Sequence, residues 1–194
     1  MRVLVACEFS GVVRDAFIQE GYDAISCDLL DSERPGPHHK GDVRDILGDG
    51  WDLMIAHPPC THLAVSGASS FRNKQKEQIE ALEFVIDLLQ APIPCIALEN
   101  PVSIISTFVT PPTQRIQPYW FCHNERKTIC LWLKNLPKLV PTNVVGYLKK
   151  SYIHSVPAYK DRWKIRSRFY PGIAWAMAQQ WGSVAQARKQ LTSC

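Results

Sequence analysis

Short unbroken apolar runs closed by turn residues alternate along this chain with longer stretches whose apolar residues recur every three or four positions. The first run, Arg2 to Cys7, is rich in valine and leads through Phe9-Ser10-Gly11 into a helix-like stretch from Val12 to Glu20, which predicts strand, turn, helix. Gly21 ends that helix, and Asp23 to Asp28 reads as a second strand. Pro35-Gly36-Pro37 marks a loop before Gly41-Asp42-Val43, and Trp51 to Ala56 (WDLMIA) is a third strand ending at His57-Pro58-Pro59-Cys60. Between Arg72 and Gln90 the residues Ile79, Leu82, Val85, Ile86 and Leu89 fall at helical spacing, giving an amphipathic helix of about five turns. Pro92 and Pro94 stop it, and Cys95 to Leu98 forms a buried-type strand running into Glu99-Asn100-Pro101. The second half, broken by Pro111, Pro112, Pro118, Pro137 and Pro141, predicts a strand at Lys127 to Leu133, a hairpin between residues 119 and 133, and a closing helix from Ile173 to Trp181. Strands alternating with helices predict an α/β fold with a mostly parallel sheet covered by helices on both faces. In such sheets ligands bind beyond the carboxyl ends of the strands.

Length and composition narrow this picture. With 194 residues, 46% of them hydrophobic, the chain suffices for one domain over residues 1–194 and is too short for two ordinary ones. A net charge of +4 permits a polyanionic partner without demanding one. The positive charge is concentrated, however: Lys149, Lys150, Lys160, Arg162, Lys164, Arg166 and Arg168 face Asp161 alone, with Tyr152, Tyr159 and Trp163 interleaved. This stretch from 149 to 168 reads either as a nucleic-acid contact or as a solvated surface. No apolar run approaches the ~20 residues that cross a bilayer, and the start lacks a signal-peptide pattern, so a cytoplasmic protein without membrane contact is expected. Seven cysteines without a CxxC pair argue against a disulfide framework. Cys7, Cys27, Cys95 and Cys130 read as small buried hydrophobes. Cys122 and His123 with His57 or His62 fit no tetrahedral spacing, so no metal is expected.

Several residues stand at strand ends where chemistry can occur. Phe9-Ser10-Gly11 occupies the first strand-to-helix turn, where glycine permits close approach of a ligand to the backbone. Asp28 ends the next strand at a separation that suits hydrogen bonds to the ribose hydroxyls of an adenosine, and Asp42 at the following turn could meet the adenine amino group. Each acid could equally be a helix cap or a solvated loop charge. In Pro58-Pro59-Cys60 two prolines fix the backbone just past a strand and hold a thiol at the ligand edge, where it can act as an activated nucleophile. Glu99-Asn100-Pro101 repeats the arrangement one strand on, adding a carboxyl and an amide to the same crevice; a helix cap at Asn100 is the plainer reading, and both can hold.

Phe9-Ser10-Gly11, Pro58-Pro59-Cys60 and Glu99-Asn100-Pro101, in this order and at strand ends, resemble the cofactor, nucleophile and base-binding motifs of cytosine-5 DNA methyltransferases. The run HPPCTHLAVSG (57–67), the segment from Pro112 to Thr142 including KTICLWLKNLP, and the closing RFYPGIAWAMAQQWG (168–182) are similar to short phage- and prophage-encoded members, and the resemblance covers nearly the whole chain. It implies a Rossmann-like fold that binds S-adenosylmethionine through Phe9, Ser10, Gly11, Asp28, Asp42, Pro59, Ile173 and Ala174. It further implies DNA as substrate, Cys60 as nucleophile, Glu99 on the base, Asn100 as the group that positions that carboxyl, and either Arg126 or Lys127 facing the base. Val12 and Val13 stand where a second glycine usually follows, Asp28 where glutamate is commoner, and the chain has no room for a separate target-recognition domain. The basic stretch could replace that domain with backbone contacts, which give affinity but little sequence reading. Two other readings remain: methylation of a free pyrimidine nucleotide, and a catalytically silent nucleic-acid-binding protein.

Overall fold

The computed structural model describes residues 1–146, 164 and 167–192. Seven strands form one sheet: β1 (Arg2–Ala6), β2 (Asp23–Asp28), β3 (His38–Lys40), β4 (Leu53–Ala56), β5 (Cys95–Pro101), β6 (Gln114–Ile116) and β7 (Ile129–Lys134). Their spatial order is β3-β2-β1-β4-β5-β7-β6. The first five are parallel neighbours, and β7 runs antiparallel to both β5 and β6. This is a doubly wound Rossmann-like sheet whose strand order reverses between β1 and β4, the switch point where such folds bind ligands.

The apolar runs are continuous because the central strands are covered on both faces, and side chains two apart enter the same core. On one face Val3, Val5, Leu53 and Ile55 pack with Val13 and Phe17 of α1 (Val12–Gln19) and with Ile173, Met177 and Trp181 of the last helix. On the other, Leu4, Met54, Ile96 and Leu98 pack with Val85 and Leu88 of α2 (Gln75–Gln90). A single turn, α3 (Ile105–Phe108), lies beyond β5, and α4 (Pro171–Thr192) closes the described chain.

Several elements differ from the expected ones. The helix expected from Arg72 begins at Gln75, since residues 65–73 form 3-10 turns. The hairpin does not lie within 119–133: the partner of β7 is β6, and Pro118–Trp120 is a short 3-10 turn between them. The closing helix runs past Trp181 to Thr192, because Ala185 carries the buried stripe on. No described helix is long and apolar enough to cross a membrane. Of the basic stretch, Lys164 and Arg168 are described; Lys149, Lys150, Lys160, Arg162 and Arg166 lie outside the described residues.

Candidate active site

Beyond the carboxyl ends of β1, β2, β4 and β5 lies a cavity of about 300 Å³, bounded on its far side by residues 167–170. At the end of β1 the chain turns through Cys7, whose φ of 57° is left-handed, into Glu8. Glu8 is buried, and its carboxylate accepts the N–H of Val13 at 2.7 Å, the N–H of Arg14 at 3.2 Å and the hydroxyl of Ser10 at 3.0 Å. The first turn of α1 is therefore satisfied from within. Among the three residues of the Phe9-Ser10-Gly11 turn, Phe9 lines the cavity while the Ser10 hydroxyl is engaged with Glu8. Gly11, with φ of 70°, answers to a neighbour: a Cβ there would come within 2.6 Å of the Arg14 guanidinium.

Asp28 lines both this cavity and an adjoining apolar slot of about 230 Å³ that Cys7, Leu29, Val43, Pro59 and Phe84 help to form. One Asp28 oxygen accepts the Leu30 N–H at 3.0 Å, and burial raises the carboxyl above the ordinary aspartate range. Asp42 also reaches the slot, but its carboxylate caps the following 3-10 turn through the Arg44 N–H at 3.0 Å and pairs with the Arg44 guanidinium at 2.6 Å. That pairing lowers its pKa. Pro59 stands between the two spaces and lines both. Burial pushes the Cys7 thiol up, with Asp28 adding to the shift, and takes Cys27 up to about 12, so neither is a ready nucleophile.

Cys60 is exposed on the cavity wall, and its carbonyl accepts the N–H groups of Leu63 and Ala64 at 3.0 and 2.9 Å, which tighten the turn behind it. Asn100, 1% exposed, donates from Nδ2 to the Pro58 carbonyl at 2.9 Å and so ties the end of β5 to the turn that carries Cys60. Glu99 Oε2 lies 3.1 Å from His57 Nδ1, with both side chains largely buried. The His57 ring packs on Phe169 with centroids 4.6 Å apart. Lys127 lines the cavity with its ammonium 5.7 Å from the Tyr170 ring, whereas Arg126 is exposed and is not part of the wall. The Tyr170 hydroxyl donates to Glu125 at 2.7 Å, and burial together with that carboxylate pushes the phenol pKa up. Arg168 makes a two-pronged bond to Glu33 at 2.8 and 2.9 Å, joining the end of the basic stretch to the loop after β2.

The structure thus gathers Phe9, Asp28, Pro59, Cys60, Glu99, Asn100, Lys127 and Arg168 at one cavity. Ile173 and Ala174 are not brought there: both are wholly buried in the core facing α1. The reason lies at Gly172, where a Cβ would strike the Phe121 carbonyl, so that α4 begins pressed inward. Phe169 and Tyr170, just before it, form the wall instead. The sequence offers His57 only as a rejected metal ligand, and Phe169 and Tyr170 only within a longer run; the one signal for His57 at this cavity is its place directly after β4 and before Pro58-Pro59-Cys60.

Among solved structures the chain is similar to a candidate DNA modification methyltransferase encoded within an E. coli prophage, at 12% identity and a TM-score of 0.48 over 75% of this chain and 52% of that one. It is also similar to a mutant of Spodoptera frugiperda DNMT2, at 12% identity and a TM-score of 0.42 over 82% of this chain and 60% of that one. The chain therefore spans between about half and three fifths of the length of these two structures. No family model matches the chain, and no curated protein matches it. The fold assignment rests on the strand order and register described above.

Proposed function

We propose that this chain is an S-adenosylmethionine-dependent methyltransferase acting on carbon 5 of cytosine in DNA, through a covalent bond from Cys60. The observation that carries the reading is the convergence of an exposed Cys60 with Glu99 and Asn100 in a cavity that opens past Asp28 into an apolar slot. The residues present suit the cofactor: the slot between Phe84, Leu29 and Val43 fits a flat adenine ring, and Asp28 at its mouth offers a carboxylate to ribose hydroxyls. Asp42, already paired with Arg44, has less left to offer an adenine amino group. When bound, S-adenosylmethionine supplies an electrophilic methyl group.

The protein's own part is to make a poor nucleophile reactive. Cytosine carbon 5 gains electron density only when the Cys60 thiolate adds at carbon 6. Glu99 acts on the ring at the same time, giving a hydrogen bond or a proton to nitrogen 3 so that the charge arriving from sulfur is neutralised. Asn100 is a positioning residue: its amide holds the Pro58 carbonyl and fixes the turn from which Cys60 reaches the ring. Lys127, on the same wall, supplies positive charge near the base edge; of the two candidates Lys127 and Arg126 it is the one at the cavity. The seven basic residues that the sequence carries from Lys149 to Arg168 support a polyanionic substrate.

Lys127 would equally serve a nucleotide phosphate, which keeps a free pyrimidine nucleotide as the second reading. The deciding experiment offers tritiated S-adenosylmethionine with duplex DNA, single-stranded DNA, RNA and dCMP in parallel, followed by nucleoside analysis. Label in 5-methylcytosine of duplex DNA is expected. Label in dCMP alone would establish the second reading, and no label in any arm would point to a silent protein.

A further inference from the structure

His57 is the least expected side chain at the cavity. It lies one residue beyond Ala56, and Glu99 one beyond Leu98; since Ala56 and Leu98 are paired in the parallel register of β4 and β5, the two side chains emerge next to each other. His57 Nδ1 is 3.1 Å from Glu99 Oε2, while His57 Nε2 is buried without a hydrogen-bond partner among the described residues. Glu99 Oε1 makes no hydrogen bond to another described residue, and the side chain lines the cavity.

That asymmetry decides where the protons sit. If Nδ1 were bare and accepted from a protonated Glu99, or if the ring were a cation, Nε2 would carry an N–H buried with nothing to receive it. A buried unpaired N–H is rarer than a buried unpaired acceptor. The geometry therefore favours the neutral ring with its proton on Nδ1, donating to Oε2. Phe169 packs against the ring at a tilt of 50° and restricts its rotation.

We propose that His57 is a positioning residue that directs the acid proton of Glu99 toward the base; this rests on the reading of the cavity as a pyrimidine methylation site. With Oε2 already accepting from His57, a proton taken up by Glu99 is directed to Oε1, the oxygen without a partner among the described residues. Oε1–H can then donate to, or protonate, nitrogen 3 as the Cys60 thiolate adds to carbon 6: the S–C6 bond forms, the 5,6 double bond shifts to carbons 4 and 5, the pair of the bond between carbon 4 and nitrogen 3 moves onto nitrogen 3, and that nitrogen takes the proton from Oε1. His57 keeps its own proton throughout. Without it, the Glu99 proton is free to sit on either oxygen.

The test uses duplex DNA containing 5-fluorocytosine with S-adenosylmethionine, and compares the full-length protein with His57→Asn, whose amide N–H can take the place of Nδ1–H, and with His57→Leu, which has no donor. Adduct formation by His57→Asn is expected within about threefold of wild type and by His57→Leu about 30-fold slower, while affinities for DNA and cofactor change less than about twofold. Nitrogen-15 NMR of the wild-type ring should show Nδ1 protonated and Nε2 bare, a readout that needs no turnover and holds even where a variant folds poorly. Equal adduct rates for His57→Leu and wild type, or an Nε2 that carries the proton, would overturn the inference alone. A wild-type protein that forms no adduct with any pyrimidine substrate would overturn the methylation reading and the inference with it.

Discussion

Replacing Arg14 by methionine should loosen the loop that frames the Asp28 side of the cavity. Arg14 is wholly buried although it sits on α1, and its guanidinium is spent on the loop between β2 and β3. It donates twice to Asp15 Oδ1 at 2.9 and 2.7 Å, to the Ser32 hydroxyl at 3.1 Å, and to the carbonyls of Pro35 and Arg34 at 3.1 and 3.3 Å. Weaker contacts reach Ser26 and the Pro37 carbonyl at 3.3 and 3.4 Å. Gly11 and Gly36 are glycines for the same reason: both have positive φ, and a Cβ at either would meet that guanidinium within 3 Å. Removing one partner of a buried, hydrogen-bonded charge costs about 3–5 kcal/mol. Asp15 keeps Arg34 at 3.3 Å, and water can reach the exposed parts of the loop, so a value near the lower end, about 3 kcal/mol, is expected. Methionine keeps the aliphatic stem and isolates the guanidinium. Urea denaturation gives the stability change, and hydrogen exchange over residues 29–37 should quicken while α2 stays protected. A loss under about 1 kcal/mol with unchanged exchange in the loop would refute this account of the buried arginine.

Asp28→Ala should weaken S-adenosylmethionine binding, measured by titration calorimetry, by at least tenfold; a change under about twofold would remove Asp28 from the cofactor site. Because burial raises the Asp28 pKa, its charge destabilises the folded protein at neutral pH; that cost shrinks once pH falls below the raised value and is gone below the ordinary aspartate range. Asp28→Asn should therefore be more stable than wild type at pH 7, with the difference shrinking on acidification. An advantage that grows toward low pH would contradict the sign. For the basic stretch, DNA affinity should fall steeply with salt, and replacing Lys160, Arg162 and Lys164 by alanine should lower the log–log slope by about three. A flat salt response would favour the nucleotide substrate.

The fold was legible where burial on both faces writes a continuous apolar run: β1, β2, β4 and β5 lie where WDLMIA, CIAL and their counterparts foretell them. It was not legible at β3 and β6, whose three residues each, HHK and QRI, carry no apolar period and pair only because neighbouring strands are already in place. Cys60, Glu99 and Asn100 could be picked out because proline and strand ends mark them. His57 could not, since its contact spans 42 residues and depends on the register of β4 with β5. The inward face of α4 was equally hidden. A helix of alternating small and large residues does not disclose which side meets the core, and the burial of Ile173 and Ala174 follows from how Gly172 seats against Phe121. Nor does the Phe9-Ser10-Gly11 turn reveal that Glu8 caps the helix behind it.

A covalent bond from Cys60 to the target cytosine can be caught by trapping. Fluorine at carbon 5 cannot leave as a proton, so DNA containing 5-fluorocytosine should hold wild-type protein in a complex that needs S-adenosylmethionine and survives denaturing electrophoresis. Mass spectrometry should place the bond on Cys60, and Cys60→Ala should form no complex. A wild-type protein that methylates DNA while Cys60→Ala keeps that activity would contradict the mechanism, and methylation of an exocyclic nitrogen, which needs no thiolate, would take its place.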